Sequence, residues 1–160
     1  VTGPWDVRFN PRWGGPERIV FDELCDWTQR PEPGIRHYSG TATYRKTIEL
    51  PESYTGKRLW IDFGKVCDLA VVRINGQPLG TLWKAPWRVE ITQVVRPGDN
   101  ELEIDILNPW NNRLVGDLNL PPEQRCTYVA LPVLSATAPL LPAGLCGPVR
   151  IEAATQVEVD

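Results

Sequence analysis

Apolar and polar residues alternate with a period of two through much of the chain, the pattern of half-buried strands. Glu101-Leu102-Glu103-Ile104-Asp105-Ile106-Leu107 is the cleanest case, and Trp5-Asp6-Val7-Arg8-Phe9 repeats it near the start. Residues 57–63 put Leu59, Ile61 and Phe63 on one face and Trp60 and Asp62 on the other. Residues 69–74 and 78–83 flank Asn75-Gly76, the strongest hairpin signal in the chain, because both residues tolerate the positive φ of a tight turn. Ile19-Val20-Phe21 predicts a short strand. Residues 41–50, rich in β-branched side chains, predict a long one that stops at Pro51, where a ladder donor is lost. Residues 149–153 and 156–159 read as closing strands, whereas the proline-rich segment 114–147 has no clean period and reads as an irregular loop layer.

Strand directions then predict which loops meet. If residues 58–63 run up, 69–74 run down, 78–83 climb back, 87–92 descend and 101–107 rise again. The loop Trp83-Lys84-Ala85-Pro86-Trp87, the strand exit Asn108-Pro109-Trp110-Asn111-Asn112-Arg113 and the turn Val66-Cys67-Asp68 are therefore expected at one rim. His37 and Tyr38 precede a strand that starts at the same end. A rim that gathers aromatic faces, amides and a guanidinium has the chemistry for sugars, whose C–H faces pack on rings and whose hydroxyls take forked hydrogen bonds.

Composition narrows this further. A chain of 160 residues with sixteen Pro and thirteen Gly reads as a single domain of short strands and turns, residues 1–160. A net charge of -3 gives no reason to expect nucleic acid, and no stretch is long and apolar enough to span a membrane. The absence of Met, even at position 1, reads as a mature or excised piece of a longer product. Cys25, Cys67, Cys126 and Cys146 lack CxxC spacing and accompany a single His, which argues against structural zinc. They read equally as four buried thiols or as two disulfides, with Cys25–Cys67 and Cys126–Cys146 the expected pairs.

Each rim residue has two readings. Trp83, Trp87 and Trp110 are either core plugs or platforms for a ligand. Asn112, Arg113 and Asp117 either grip hydroxyls or fasten a loop, and His37 and Tyr38 either face ligand or serve structure. Glycoside hydrolysis needs two carboxyls about 5–10 Å apart, one with a raised pKa. Asp68 and Asp117 are the only pair that the strand directions bring to one rim, and both fall in turns where a carboxylate caps backbone N–H groups, which lowers its pKa. Gly-x-Ser-x-Gly is absent, so no nucleophile elbow is present.

Tyr38-Ser39-Gly40-Thr41-Ala42-Thr43-Tyr44-Arg45-Lys46, Gly64-Lys65-Val66-Cys67-Asp68-Leu69-Ala70, Gly98-Asp99-Asn100, Asn111-Asn112-Arg113-Leu114-Val115-Gly116-Asp117 and Gly144-Leu145-Cys146-Gly147-Pro148-Val149 resemble the sugar-binding jelly-roll domain of glycoside hydrolase family 2. More closely, they are similar to the related domain at the C-terminal end of large bacterial family 106 α-L-rhamnosidase-like proteins. The resemblance covers about residues 24–153, and Cys67 and Cys146 depart from its usual pattern. It implies an all-β, galactose-binding-like β-sandwich, not catalytic by itself, in a secreted, extracellular or periplasmic glycoside hydrolase. It implies no required cofactor and allows a structural calcium ion, for which the sequence offers no compact Asp-rich loop. Two functions are compatible with it: a module that binds polysaccharide or oligosaccharide for an attached catalytic domain, or a structural domain that docks on that catalytic domain without a ligand. Exposure of at least two of Trp83, Trp87 and Trp110 favours the first.

Overall fold

The computed structural model describes residues 1–129 and 134–154. In chain order its elements are β1 (Trp5–Arg8), β2 (Ile19–Phe21), a single helical turn α1 (Pro33–Arg36), β3 (Gly40–Leu50), β4 (Arg58–Asp62), β5 (Lys65–Cys67), β6 (Leu69–Ile74), β7 (Gln77–Leu82), β8 (Arg88–Glu90), β9 (Gly98–Asn108), α2 (Asn111–Leu118), β10 (Gly144–Gly147) and β11 (Arg150–Ala154). One layer is a six-stranded antiparallel sheet in the order β2-β1-β3-β9-β6-β7. Its spine is the pairing of β3 with β9, unbroken from Gly40 opposite Asn108 to Leu50 opposite Gly98.

The facing layer is a bent ribbon. β11 pairs with β4, which also pairs with β8, and β10 pairs with β5. Because β4 runs into β5 and β10 into β11, these are two stretches of one ladder, bent where Gly64 crosses Gly147. Both glycines have positive φ, and a Cβ on Gly64 would lie 2.5 Å from the Gly147 carbonyl, so only glycine permits the crossing.

Alternation explains the core. Ala42, Tyr44, Ile48 and Leu50 of β3, Leu102, Ile104 and Ile106 of β9, and Ala70, Val72 and Ile74 of β6 are buried from one layer, and Leu59, Ile61 and Phe63 from the other. Each such side chain contributes roughly 1.5–3 kcal/mol through burial. Lys46 takes an inward position of β3 but carries its ammonium past the sheet edge to the Pro4 carbonyl, 2.8 Å away, and over the Trp5 ring. Under the upper rim, Phe9, Trp27 and Tyr38 pack edge to face with centroids 4.8–5.7 Å apart, and Trp27 donates to the Tyr44 hydroxyl at 2.6 Å.

The Asn75-Gly76 hairpin forms as expected, with φ of 52° and 75°. The run of strand directions also holds, but the strands alternate between layers: β4 and β8 lie in one, β6, β7 and β9 in the other. The expectation of an irregular segment over residues 114–147 is corrected at both ends, since Asn111–Leu118 is a helix and Gly144–Gly147 a strand. The expected strand at 156–159 lies outside the described residues. The four cysteines are free, so neither expected pairing forms, and Cys67 instead faces Cys146. Among the described residues no helix is long and apolar enough to cross a membrane, and no group of three or more His, Cys, Asp or Glu side chains is placed to hold a metal ion.

Candidate functional site

The upper rim is assembled from strand ends. Leu82 of β7 pairs with Ala70 of β6, which pairs with Ile106 of β9, so β7 and β9 end level with each other. They are two strand spacings apart, roughly 10 Å. Trp83 follows β7, Trp110 follows β9, and Asp68 sits at the head of β6 between them. The start of β3 reaches the same rim through Gly40, whose N–H donates to Asn108 Oδ1 at 2.9 Å while Asn108 Nδ2 donates to the Tyr38 carbonyl.

Two of the three rim tryptophans face solvent. Trp83 is 67% exposed and Trp110 53% exposed. Lys84 lies over the Trp83 ring, with Nζ 5.1 Å from its centroid. Trp110 meets the half-buried Trp13 edge to face at 5.0 Å, which fixes its plane. Trp87 packs against the core, and its carbonyl accepts from the Phe63 N–H at 2.8 Å.

The polar candidates are bonded inward. Asn112 clasps the backbone of Leu141, accepting its N–H at 2.8 Å and donating to its carbonyl at 2.7 Å. The Arg113 N–H donates to Ser39 Oγ, and its guanidinium pairs with Asp117 at 2.7 Å. Asp117 Oδ2 accepts both the N–H and the hydroxyl of Thr127. The Tyr38 hydroxyl donates to the Thr41 carbonyl and accepts from the Asn10 N–H. These side chains hold the segments 10–15, 37–41, 111–118, 127 and 141 together. His37 is half-buried, and its Nδ1 has no hydrogen-bond partner. Burial first, then the positive charges of Arg113 and Arg36, push its pKa below the ordinary 6.5, so it is neutral near neutral pH.

Asp68 differs from its expected role. It is a non-glycine residue at φ 80°, exposed, and among the described residues it accepts no hydrogen bond from a backbone N–H. Loss of hydration against the rim raises its pKa above the ordinary 3.8, whereas a cap would lower it. Trp13 and Leu141 also belong to the rim. A Trp inside the loop Asn10-Pro11-Arg12-Trp13-Gly14-Gly15-Pro16 was a visible signal for the first; nothing in the sequence marks Leu141, whose role is carried by its backbone.

Two layers of antiparallel strands with a loop-built rim are the architecture of a galactose-binding-like β-sandwich. The chain belongs to the glycosyl hydrolase 2 galactose-binding domain-like family, whose pattern residues 32–129 match. A solved rhamnosidase from Novosphingobium sp. PP1Y superposes with a TM-score of 0.88 at 42% identity, over 94% of this chain and 14% of that one. A Formosa agariphila protein assigned as a β-glucuronidase is 36% identical over 94% of this chain and 15% of its own length. A Paenibacillus borealis β-glucuronidase is 27% identical over 69% of this chain and 21% of its own. The Ruminococcus gnavus β-glucuronidase, at 21% identity and a TM-score of 0.58, shares the fold. The chain spans only about 14–21% of the length of these glycoside hydrolase relatives.

Proposed function

We propose that this domain is a non-catalytic carbohydrate-binding module that holds an attached glycoside hydrolase on plant or microbial polysaccharide, in a secreted enzyme acting outside the cell or in the periplasm. The observation that carries this reading is the exposure of Trp83 and Trp110 at one rim. Large apolar faces left in water on a folded domain commonly mark a binding surface. Two exposed rings carried just past the ends of strands about 10 Å apart, with Asp68 at the head of the strand between them, offer C–H contacts and a hydroxyl acceptor. Tyr38, Asn112, Arg113 and Asp117 act here by holding the rim in shape, and Trp87 by anchoring the 83–87 loop to the core. Weak affinity suffices, because attachment to the enzyme raises the effective concentration.

A second reading, a structural domain docking on the catalytic domain, is favoured by Tyr128, which is 92% exposed, and by Leu141, 46% exposed, a residue bonded to α2. Electrophoresis through gels containing soluble polysaccharide separates the two. A binding module is retarded, and Trp83→Ala and Trp110→Ala run freely while remaining folded. Unretarded wild-type domain, combined with loss of activity when Tyr128→Ala is placed in the full-length hydrolase, supports docking instead.

A further inference from the structure

Where β5 and β10 pair, Gly144 lies opposite Cys67 and Leu145 opposite Val66, but the next partner of β5, Lys65, faces Gly147. Cys146 is the residue left over, and such a bulge re-aims the side chain it carries. The result brings Cys146 Sγ to 3.8 Å from Cys67 Sγ across 79 residues of sequence. Gly144 is the residue directly opposite Cys67, so Cys146 is its diagonal neighbour across the pair, a position whose Cα atoms are commonly about 7–8 Å apart with the Cβ atoms closer. A disulfide needs sulfurs at about 2.05 Å with Cβ atoms about 3.5–4.5 Å apart. Closing the sulfurs from 3.8 Å to that length takes side-chain rotation, with the bulge as the place where the backbone adjusts.

The other two thiols have different surroundings. Cys25 interacts with Arg30, and Cys126 lies beside Gly14, where an added Cβ would sit 3.7 Å from its sulfur. Cys67 is buried, whereas Cys146 is only partly covered, so a small oxidant reaches the pair from the Cys146 side.

We propose that Cys67 and Cys146 form a redox modification site, closed to a disulfide by exchange with a small-molecule disulfide of the glutathione type. One cysteine sulfur attacks the glutathione disulfide and releases one glutathione thiol. The second cysteine sulfur then attacks the mixed disulfide and releases the other. Two protein thiols lose their hydrogens and two electrons, and one glutathione disulfide becomes two glutathione thiols. The hydrogen bond shared by the two sulfurs, which either can donate, favours ionisation of one member of the pair, and that thiolate is the nucleophile of the exchange. The bond would enclose residues 67–146, the segment that contains Trp83, Trp110 and α2, and so tie both ends of the rim-bearing chain together. This site stands independently of whether the rim binds sugar.

The test uses the full chain, purified under reductant and then incubated with oxidised glutathione. After quenching and denaturation, free thiols are expected to fall from four to two, the intact mass to drop by two hydrogen atoms, and nonreducing peptide mapping to link Cys67 to Cys146. Cys25→Ser and Cys126→Ser should still form the link. The oxidised protein should melt higher than the reduced one, by on the order of 10 °C for a loop of this length. A pair that stays reduced or stops at a glutathione adduct, a link that maps to Cys25 or Cys126, or an oxidised midpoint no higher than the reduced one would each overturn the proposal.

Discussion

Arg113 and Asp117, one helical turn apart in α2, form an ion pair at 2.7 Å with side chains only 5% and 3% exposed. Neither charge has water to fall back on. Removing one partner strands the other, so Asp117→Ala is expected to cost about 3–5 kcal/mol. Replacing both, as in Arg113→Met with Asp117→Leu, should cost clearly less, because no buried charge remains. Chemical denaturation of the two single variants and the double variant measures this coupling directly.

The same guanidinium depends on glycine. A Cβ on Gly116 would lie 2.6 Å from the His37 Cβ and 2.9 Å from Arg113 Nη2. Gly116→Ala therefore overpacks a closed site and should lose about 1–3 kcal/mol. Gly56 offers the contrast: its φ is +74°, but nothing lies within 4 Å of an added Cβ. Gly56→Ala meets only the left-handed backbone penalty, about 1–2 kcal/mol, and should leave the rim intact. Thermal melts give the stabilities, and near-ultraviolet circular dichroism reports the environment of the rim tryptophans.

At the opposite end, Asn75 is bound on every side. Its Nδ2 donates to the Val94 carbonyl and to Asn100 Oδ1, and its Oδ1 accepts the Glu101 N–H. Asn75→Ala removes these bonds and places a β-carbon residue without a polar side chain at φ 52°, so a loss of about 2–4 kcal/mol is expected in urea unfolding.

Acid should find His37. Its folded pKa lies below the ordinary 6.5, so just below pH 6.5 the unfolded chain binds a proton that the folded chain refuses. Stability therefore falls as pH drops through that window and levels off below the folded value. His37→Gln should flatten this step in stability curves measured from pH 7.5 downward. Asp68, whose folded pKa is raised, contributes in the opposite sense near its ordinary 3.8, and Asp68→Asn should leave the His37 step in place.

These residues also show what could be read from the chain alone. The strand directions were legible because alternation and the Asn75-Gly76 turn are local signals, and they placed Trp83, Asp68 and Trp110 at one rim. The layers were not, since alternation tells which face of β4 or β6 is buried but not which sheet holds it. The helix α2 escaped notice because Asn111-Asn112-Arg113-Leu114-Val115-Gly116-Asp117-Leu118 is only two turns long and rich in poor helix formers. Its fixed points, Ser39, Thr127 and Leu141, are distant in sequence. The Cys67–Cys146 approach depends on a β-bulge between segments 79 residues apart, and no local pattern announces it.

The most direct test of the binding account is intrinsic tryptophan fluorescence titrated with soluble rhamnogalacturonan, xylan, β-glucan, rhamnose and galactose, with Trp83→Ala and Trp110→Ala beside the wild type. A saturable change with at least one of these, lost in both Trp83→Ala and Trp110→Ala, is the expected result. A flat response across the panel from folded wild-type protein would contradict the account and turn attention to the catalytic domain as the partner of this rim.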